Sequence, residues 1–201
     1  MVRKRYFQEE KNINRQYFDE YIDRFVKANS DRYEFIVKEA TDYIRGSVKG
    51  YTVMDMFVSF SGGKDSTVTS DLVIRALSEP KILHIFGDTT LEFPETIKYV
   101  ERFKKEHPKT PVLSSRNKDK DFEELCQLVG PPSRVMRWCC TVFKTGAIQR
   151  KIKSLFKNKN KIITFYGIRR SESKSRSKYE RETEGSKITK QITISPIIDW
   201  M

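Results

Sequence analysis

Residues 58–68, VSFSGGKDSTV, decide the fold of this chain. The apolar run 54–57 in front of them (MDMF) reads as a buried strand. Behind them, residues 67–77 carry Val68, Leu72, Val73, Ala76 and Leu77 at helical spacing. The polar segment between therefore joins a strand to a helix N-terminus, where unpaired backbone N–H groups and the positive end of the helix dipole favour an anion. Gly62 and Gly63 let the backbone approach such an anion; Ser59, Ser61 and Ser66 offer hydroxyls, and Lys64 a charge. The spacing is not the G-x-x-x-x-G-K-[ST] of a Walker loop. Serine and glycine also fill many turns that bind nothing; the strand, the helix and the added Lys-Asp-Ser favour the phosphate loop over that alternative.

Outward from this loop, strand and helix patterns alternate from Tyr51 onward, which predicts a parallel sheet covered by helices. The expected fold is a three-layer α/β/α domain over 51–201, with a mostly parallel twisted sheet, preceded by a helical segment over 1–50. Expected strands are 81–87, 111–114, 161–168 and 190–194; expected helices are 94–106, 121–129 and 141–156. Residues 169–187 show no hydrophobic period and read as a long mobile loop. In the N-terminal segment, 1–16 reads as frayed, and Phe18, Tyr21, Ile22, Phe25 and Val26 form an amphipathic helical stripe suited to core or docking. Asp31 with Glu34 offers a capping box for a second helix whose apolar face is Tyr33, Ile36, Val37, Ala40 and Ile44.

Composition narrows the function classes. Of the 201 residues, 37% are hydrophobic and 33% charged, enough for one domain with a core. No apolar run reaches the roughly 18 residues of a membrane span, and no secretory signal opens the chain, so a cytoplasmic location is expected. Three cysteines make no disulfide framework. The net charge of +12 is concentrated: residues 144–181 hold thirteen Lys or Arg against Glu172 and Glu180, which suggests an anionic partner, polyphosphate or nucleic acid, or simply a solvated basic face. The segment 169–181 has no aromatic besides Tyr179, so no base-stacking ladder is visible and nucleic acid is the secondary reading.

Further motifs follow along the chain, those at 88–96 and 167–176 where expected strands end. They are DTTLEFPET at 88–96, RVMRWCCTVFK at 134–144, GIRRSESKSR at 167–176 and SPIIDW at 195–200. Together with SGGKDS, and in this order, they resemble the phosphoadenylyl-sulfate (PAPS) reductase family of the PP-loop, adenine-nucleotide α-hydrolase-like superfamily. Thr90 stands where that family usually has glycine. The resemblance implies an enzyme of sulfur metabolism binding an adenine nucleotide (PAPS, adenylyl sulfate or ATP) through Ser59, Ser61, Gly62, Gly63, Lys64, Asp65, Ser66, Asp88, Thr89, Arg137, Lys144, Arg169 and Arg176. Lys64, Arg169 and Arg176 would stabilise the anion. A thiolate would attack sulfur, the nucleotide would leave, and sulfite would be released reductively with a thiol or iron–sulfur electron donor. Cys139 and Cys140 resemble half the ligand set of a four-iron, four-sulfur cluster; the partnering C-x-x-C is absent. A helix start and nearby Arg137 would equally favour thiolate there. Cys126 reads as a buried small hydrophobe, and His84 and His107 match no metal spacing. The family's E-C-G-x-H cysteine is also absent, so a C-terminally incomplete chain is expected and the nucleophile stays unassigned. Two alternatives stand beside this. One is an ATP pyrophosphatase that adenylates a substrate for sulfur transfer, of the DNA phosphorothioation type, with Asp65 and Asp88 helping to hold magnesium. The other is a non-catalytic nucleotide-binding module.

Overall fold

A computed structural model of the chain describes residues 2–185 and 190–200. Two compact units separate, 1–39 and 40–201. In the first, helix α1 runs over Val2–Ala28, so the segment read as frayed is helical. Its stripe is not core: Phe18, Tyr21, Phe25 and Val26 are exposed, with Tyr21 and Phe25 stacked 6.5 Å apart. A single turn residue, Asn29, separates α1 from α2, Ser30–Ser47. The Asn29 amide donates to Phe25 O at 2.8 Å, and Asn29 O accepts from Tyr33 N. Asp31 therefore lies in the first turn of α2 rather than capping it, which corrects the expected capping box.

The second unit is built on a six-stranded sheet: β1 Met56–Phe60, β2 Leu83–Asp88, β3 Val112–Arg116, β4 Lys161–Tyr166, β5 Glu182–Gly185 and β6 Lys190–Ile194. The order across the sheet is β3-β2-β1-β4-β6-β5; all neighbours are parallel except β5, which pairs antiparallel with β6 at the edge. Around it lie α3 Lys64–Leu77, α4 Pro94–Glu106, α5 Phe122–Val129 and α6 Ala147–Leu155. The expected layered α/β fold is the observed one. Strand β1 is buried almost throughout, as a strand covered on both faces must be. Phe57 with Ile85 and Ile162 packs on Ile152 of α6 and on Phe156 at its C-terminal end, while Phe60 and Phe86, of opposite parity, pack on Val100 and Phe103 of α4. Period-two alternation thus divides one strand's apolar residues between the two helical layers.

Several boundaries move for local reasons. The first strand begins at Met56, because residues 53–55 form a 3₁₀ turn whose Asp55 accepts from the Thr52 N–H and hydroxyl and pairs with Lys159 at 2.6 Å. That pairing, foremost the Lys159 hydrogen bond, lowers the Asp55 pKa to about 2. The helix expected over 141–156 opens as a π-helix, Cys140–Gly146, before α6. Residues 169–185 are not one long loop. They make two 3₁₀ turns, Arg170–Glu172 and Arg176–Lys178, then β5; residues 186 and 187 of that reading lie outside the described residues. Its arginines tie the segment down. Arg170 donates to Tyr179 O and pairs with Asp199, while Arg181 donates to Pro196 O at 2.8 Å and lies over the Tyr43 ring. Cys126 is half-buried rather than buried. No described helix is long and apolar enough to cross a membrane.

One buried titratable group gives the fold a pH dependence. His84 on β2 is enclosed; its Nδ1–H donates to Ile82 O at 2.9 Å, so Nε2 accepts from the Ser70 hydroxyl at 2.7 Å. Burial lowers its pKa from 6.5 to about 4. Because the unfolded chain takes up the proton first, this contribution is complete above pH 6.5 and is lost as pH falls toward 4, amounting to about 3 kcal/mol. Urea midpoints measured across that range should fall in the wild type, and the slope should flatten in His84→Gln.

Candidate functional site

At the centre of the sheet the chain reverses its winding. β1 leads outward to β2 and β3, and β4 returns to the other side of β1. A crevice opens at such a switch point, outside the carboxyl ends of the strands. Here it is a cleft of about 370 Å³. Ser59, Ser61, Gly63, Lys64, Asp65 and Ser66 approach it from β1 and α3; Tyr166, Gly167 and Ile168 from β4; Lys144, Glu172 and Arg176 from beyond.

The loop between β1 and α3 is braced by its own hydroxyls. Ser66 Oγ donates to Gly63 O at 2.9 Å and lies 3.2 Å from Ser61 N and 3.1 Å from Ser61 Oγ; Thr67 Oγ1 reaches Gly63 O at 3.1 Å and Tyr99 OH at 2.9 Å. Gly62 has φ +73°, and a β-carbon there would meet Val100 Cγ2 at 2.9 Å. Gly63 caps α3 without any side-chain bond. The first-turn N–H groups are therefore left for an external acceptor, at the positive end of a fourteen-residue helix. On the other wall Gly167 closes the approach: a β-carbon would lie 2.5 Å from Asp65 O and 2.8 Å from Ser66 N. Only glycine lets β4 end so close to the start of α3.

Charge in the cleft is largely compensated. Arg169 sits 3.3 Å from the Asp65 carboxylate, both mostly buried, and Arg176 pairs with Glu172. Among the described residues Lys64 and Lys144 are the cleft lysines without a carboxylate partner. Lys144 is carried by the π-helix, where a β-carbon on Gly146 would lie 2.8 Å from Thr141 O. Tyr166 also lines the cleft; burial is the larger effect on its phenol and raises its pKa, so the hydroxyl stays protonated.

The residues singled out in the sequence fall into two groups. Ser59, Ser61, Gly63, Lys64, Asp65, Ser66, Lys144 and Arg176 share the cleft wall. Gly62 shapes the loop behind it, and Arg169 braces Asp65 from outside the lining. Asp88 and Thr89 end β2 in a turn of their own, where Asp88 Oδ1 accepts from Thr90 N at 2.9 Å and Thr89 donates through N–H and hydroxyl to Glu92. Thr90, at the position usually held by glycine, has φ +69°: the turn keeps a left-handed shape with a β-branched residue in it. Arg137 reaches Cys140 Sγ at 3.7 Å, and Trp138 anchors that segment by donating to Gly130 O and packing on Phe122 and Phe143. Tyr166 was not marked by any motif; its place at the carboxyl end of a central strand was the available signal.

A four-thiolate cluster does not fit the residues present. The chain has three cysteines, and no group of three or more His, Cys, Asp or Glu is assembled among the described residues. Cys139 and Cys140 are half-buried free thiols.

Comparison with known proteins agrees with this geometry. The model for the phosphoadenosine phosphosulfate reductase domain matches residues 55–201, and the chain belongs to that family. An uncharacterized protein of Methanocaldococcus jannaschii is 34% identical over 90% of this chain and 42% of its own length, so the chain spans less than half of that relative. An adenosine 5′-phosphosulfate reductase of Anoxybacillus flavithermus is 27% identical, covering 73% of this chain and 59% of that one. Among solved structures, PAPS reductase of Candida auris in a phosphate complex superposes with a TM-score of 0.58 at 17% identity, covering 81% of this chain and 74% of that one. That likeness is one of fold.

Two substitutions probe the backbone of the site. Gly167→Ala should cost on the order of 2–4 kcal/mol in urea unfolding, because β4 and α3 must separate. Thr90→Gly should raise stability by roughly 0.5–1 kcal/mol, since relief of the left-handed strain exceeds the entropy glycine adds to the unfolded chain.

Proposed function

We propose that this chain binds a sulfonucleotide, adenylyl sulfate or its 3′-phosphorylated form, in the cleft between β1 and β4, as the nucleotide-recognising part of a sulfonucleotide reductase. The observation that carries this reading is a helix N-terminus with no side-chain cap, set against Gly167 at the switch point, with Lys64 and Lys144 facing it unpaired among the described residues. The matching family model supports the same substrate class.

In this reading the first-turn N–H groups of α3 and Lys64 hold the phosphate, and Lys144 faces the sulfate end. Tyr166 donates a hydrogen bond without changing its protonation. An attacking thiolate forms a sulfur–sulfur bond as the sulfur–oxygen bond to phosphate breaks, and the nucleotide leaves with the electron pair. A second thiol then displaces sulfite, so two thiols are oxidised to a disulfide while sulfur gains two electrons. The attacking and the resolving thiol are the couple that is oxidised; no cysteine lines the described cleft. The protein's contribution is to position the phosphosulfate and to stabilise charge growing on the leaving phosphate. Arg169 acts through Asp65, holding the carboxylate away from the bound anion.

The competing reading, an ATP pyrophosphatase, would use Asp65 and Asp88 to help hold magnesium. Asp65 is paired with Arg169, which competes with a metal for that carboxylate and supports the sulfonucleotide reading.

Calorimetric titration with adenylyl sulfate, PAPS and ATP with magnesium separates these readings. Tighter binding of a sulfonucleotide, weakened about 10- to 100-fold in Lys64→Ala and Lys144→Ala, is expected for loss of one charge-assisted contact. Preference for ATP with magnesium would transfer the assignment to the pyrophosphatase class. Arg169→Ala should instead lower stability, because it leaves a largely buried Asp65 uncompensated.

A further inference from the structure

A second cleft of about 360 Å³ opens at the carboxyl end of β3, between that strand and α6. Its wall carries Arg116, Lys118, Arg150 and Lys151 against a single carboxylate, Asp119. Elsewhere on this surface cations find acids, as in Arg75 with Asp71, Lys104 with Glu101 and Arg45 with Asp42. Among the described residues none of these four cations has an ion pair. Ser115 also lines the cleft: it is 2% exposed, and its hydroxyl has no hydrogen-bond partner among the described residues. A buried hydroxyl left unpaired costs about 1–3 kcal/mol, which an incoming acceptor would recover.

Arg150 is oriented from below. One of its amino groups donates to Asn117 Oδ1 at 2.8 Å, and Asn117, 7% exposed, is itself held by donating to Lys120 O at 3.2 Å. One donor of the guanidinium fork is thus used to fix its plane, leaving the others for a ligand. A fixed guanidinium, an unpaired buried hydroxyl and flanking lysines suit a tetrahedral oxyanion, whose oxygens accept from several directions at once.

We infer that this cleft is a second anion site, distinct from the nucleotide cleft, and that it takes a phosphate or sulfate group. β3 lies two strands from β1, about 10 Å across the sheet, so both sites open on the same carboxyl edge. The inference does not depend on which nucleotide occupies the first cleft. The anion can be free, or a phosphodiester of a longer ligand; the chemistry at the cleft is the same.

The test is a titration with inorganic phosphate at low ionic strength, following the amide resonances of Ser115 and Asn117. It uses the wild type, Lys64→Ala, Ser115→Ala, Arg150→Gln and Lys151→Ala. Phosphate should shift those amides in the wild type and in Lys64→Ala alike. Arg150→Gln and Lys151→Ala should each weaken binding by roughly five- to tenfold, as expected for loss of a charged contact. Ser115→Ala should weaken it while leaving the unfolding midpoint unchanged or higher, which a purely structural hydroxyl would not do. A thymidine tetranucleotide titrated in parallel identifies the source. Competition with phosphate, at more than about tenfold higher affinity, points to a phosphodiester chain; its failure to compete points to the free oxyanion. Phosphate binding abolished by Lys64→Ala and indifferent to the other three variants, or no shift at Ser115 and Asn117 in any protein, overturns the inference.

Discussion

The close contact between the end of β4 and the start of α3 is the constraint on which the cleft depends. At Gly167 there is no room for a single methyl group against Asp65 O and Ser66 N. That contact brings two strands far apart in sequence, 56–60 and 161–166, to one helix N-terminus. It also fixes the width of the cleft. The apolar partition of β1, with Phe57 on one layer and Phe60 on the other, supplies the burial that holds both layers in place around it.

Polar groups of the loop divide their work along similar lines. Ser61, Ser66 and Thr67 bond within the loop or to Tyr99, and so rigidify it rather than remaining free for a ligand. Arg169 and Arg176 are matched by Asp65 and Glu172. What remains for an anion is a row of backbone N–H groups and two lysines, a preorganised arrangement whose reorganisation cost on binding is small. A cleft built this way discriminates by position of charge more than by its amount.

Much of this was legible in the sequence where local chemistry is decisive. SGGKDS between an apolar strand and an amphipathic helix placed the loop, and Pro94 placed the start of α4 at the observed residue. The apolar periodicity of α6 was equally plain, but the π-helix in front of it was not, because an extra residue per turn leaves no compositional mark. The turns and strand within 169–185 were not legible because they are held by arginine side chains reaching carbonyls at 179 and 196, contacts invisible to periodicity. The exposed stripe of α1 carries the helical period of a core face, and a sequence cannot report that its face is uncovered. Site residues followed the same rule. Those on the loop were readable from their neighbours, whereas Tyr166 joins the site through sheet register alone.

The π-helix at Cys140–Gly146 has an evolutionary corollary. Such a segment is an α-helix that has absorbed one additional residue, and helices tolerate this because flanking turns keep their hydrogen bonds. Each residue advances an α-helix by about 100°, so a one-residue deletion there would restore regular winding and swing Lys144 off the cleft wall. The strands and the phosphate loop would be untouched, while Phe143, buried in the same segment, would have to repack. Relatives with the same fold can therefore differ in whether this lysine faces the ligand through a change in chain length alone, without any change in the identity of the residues around it.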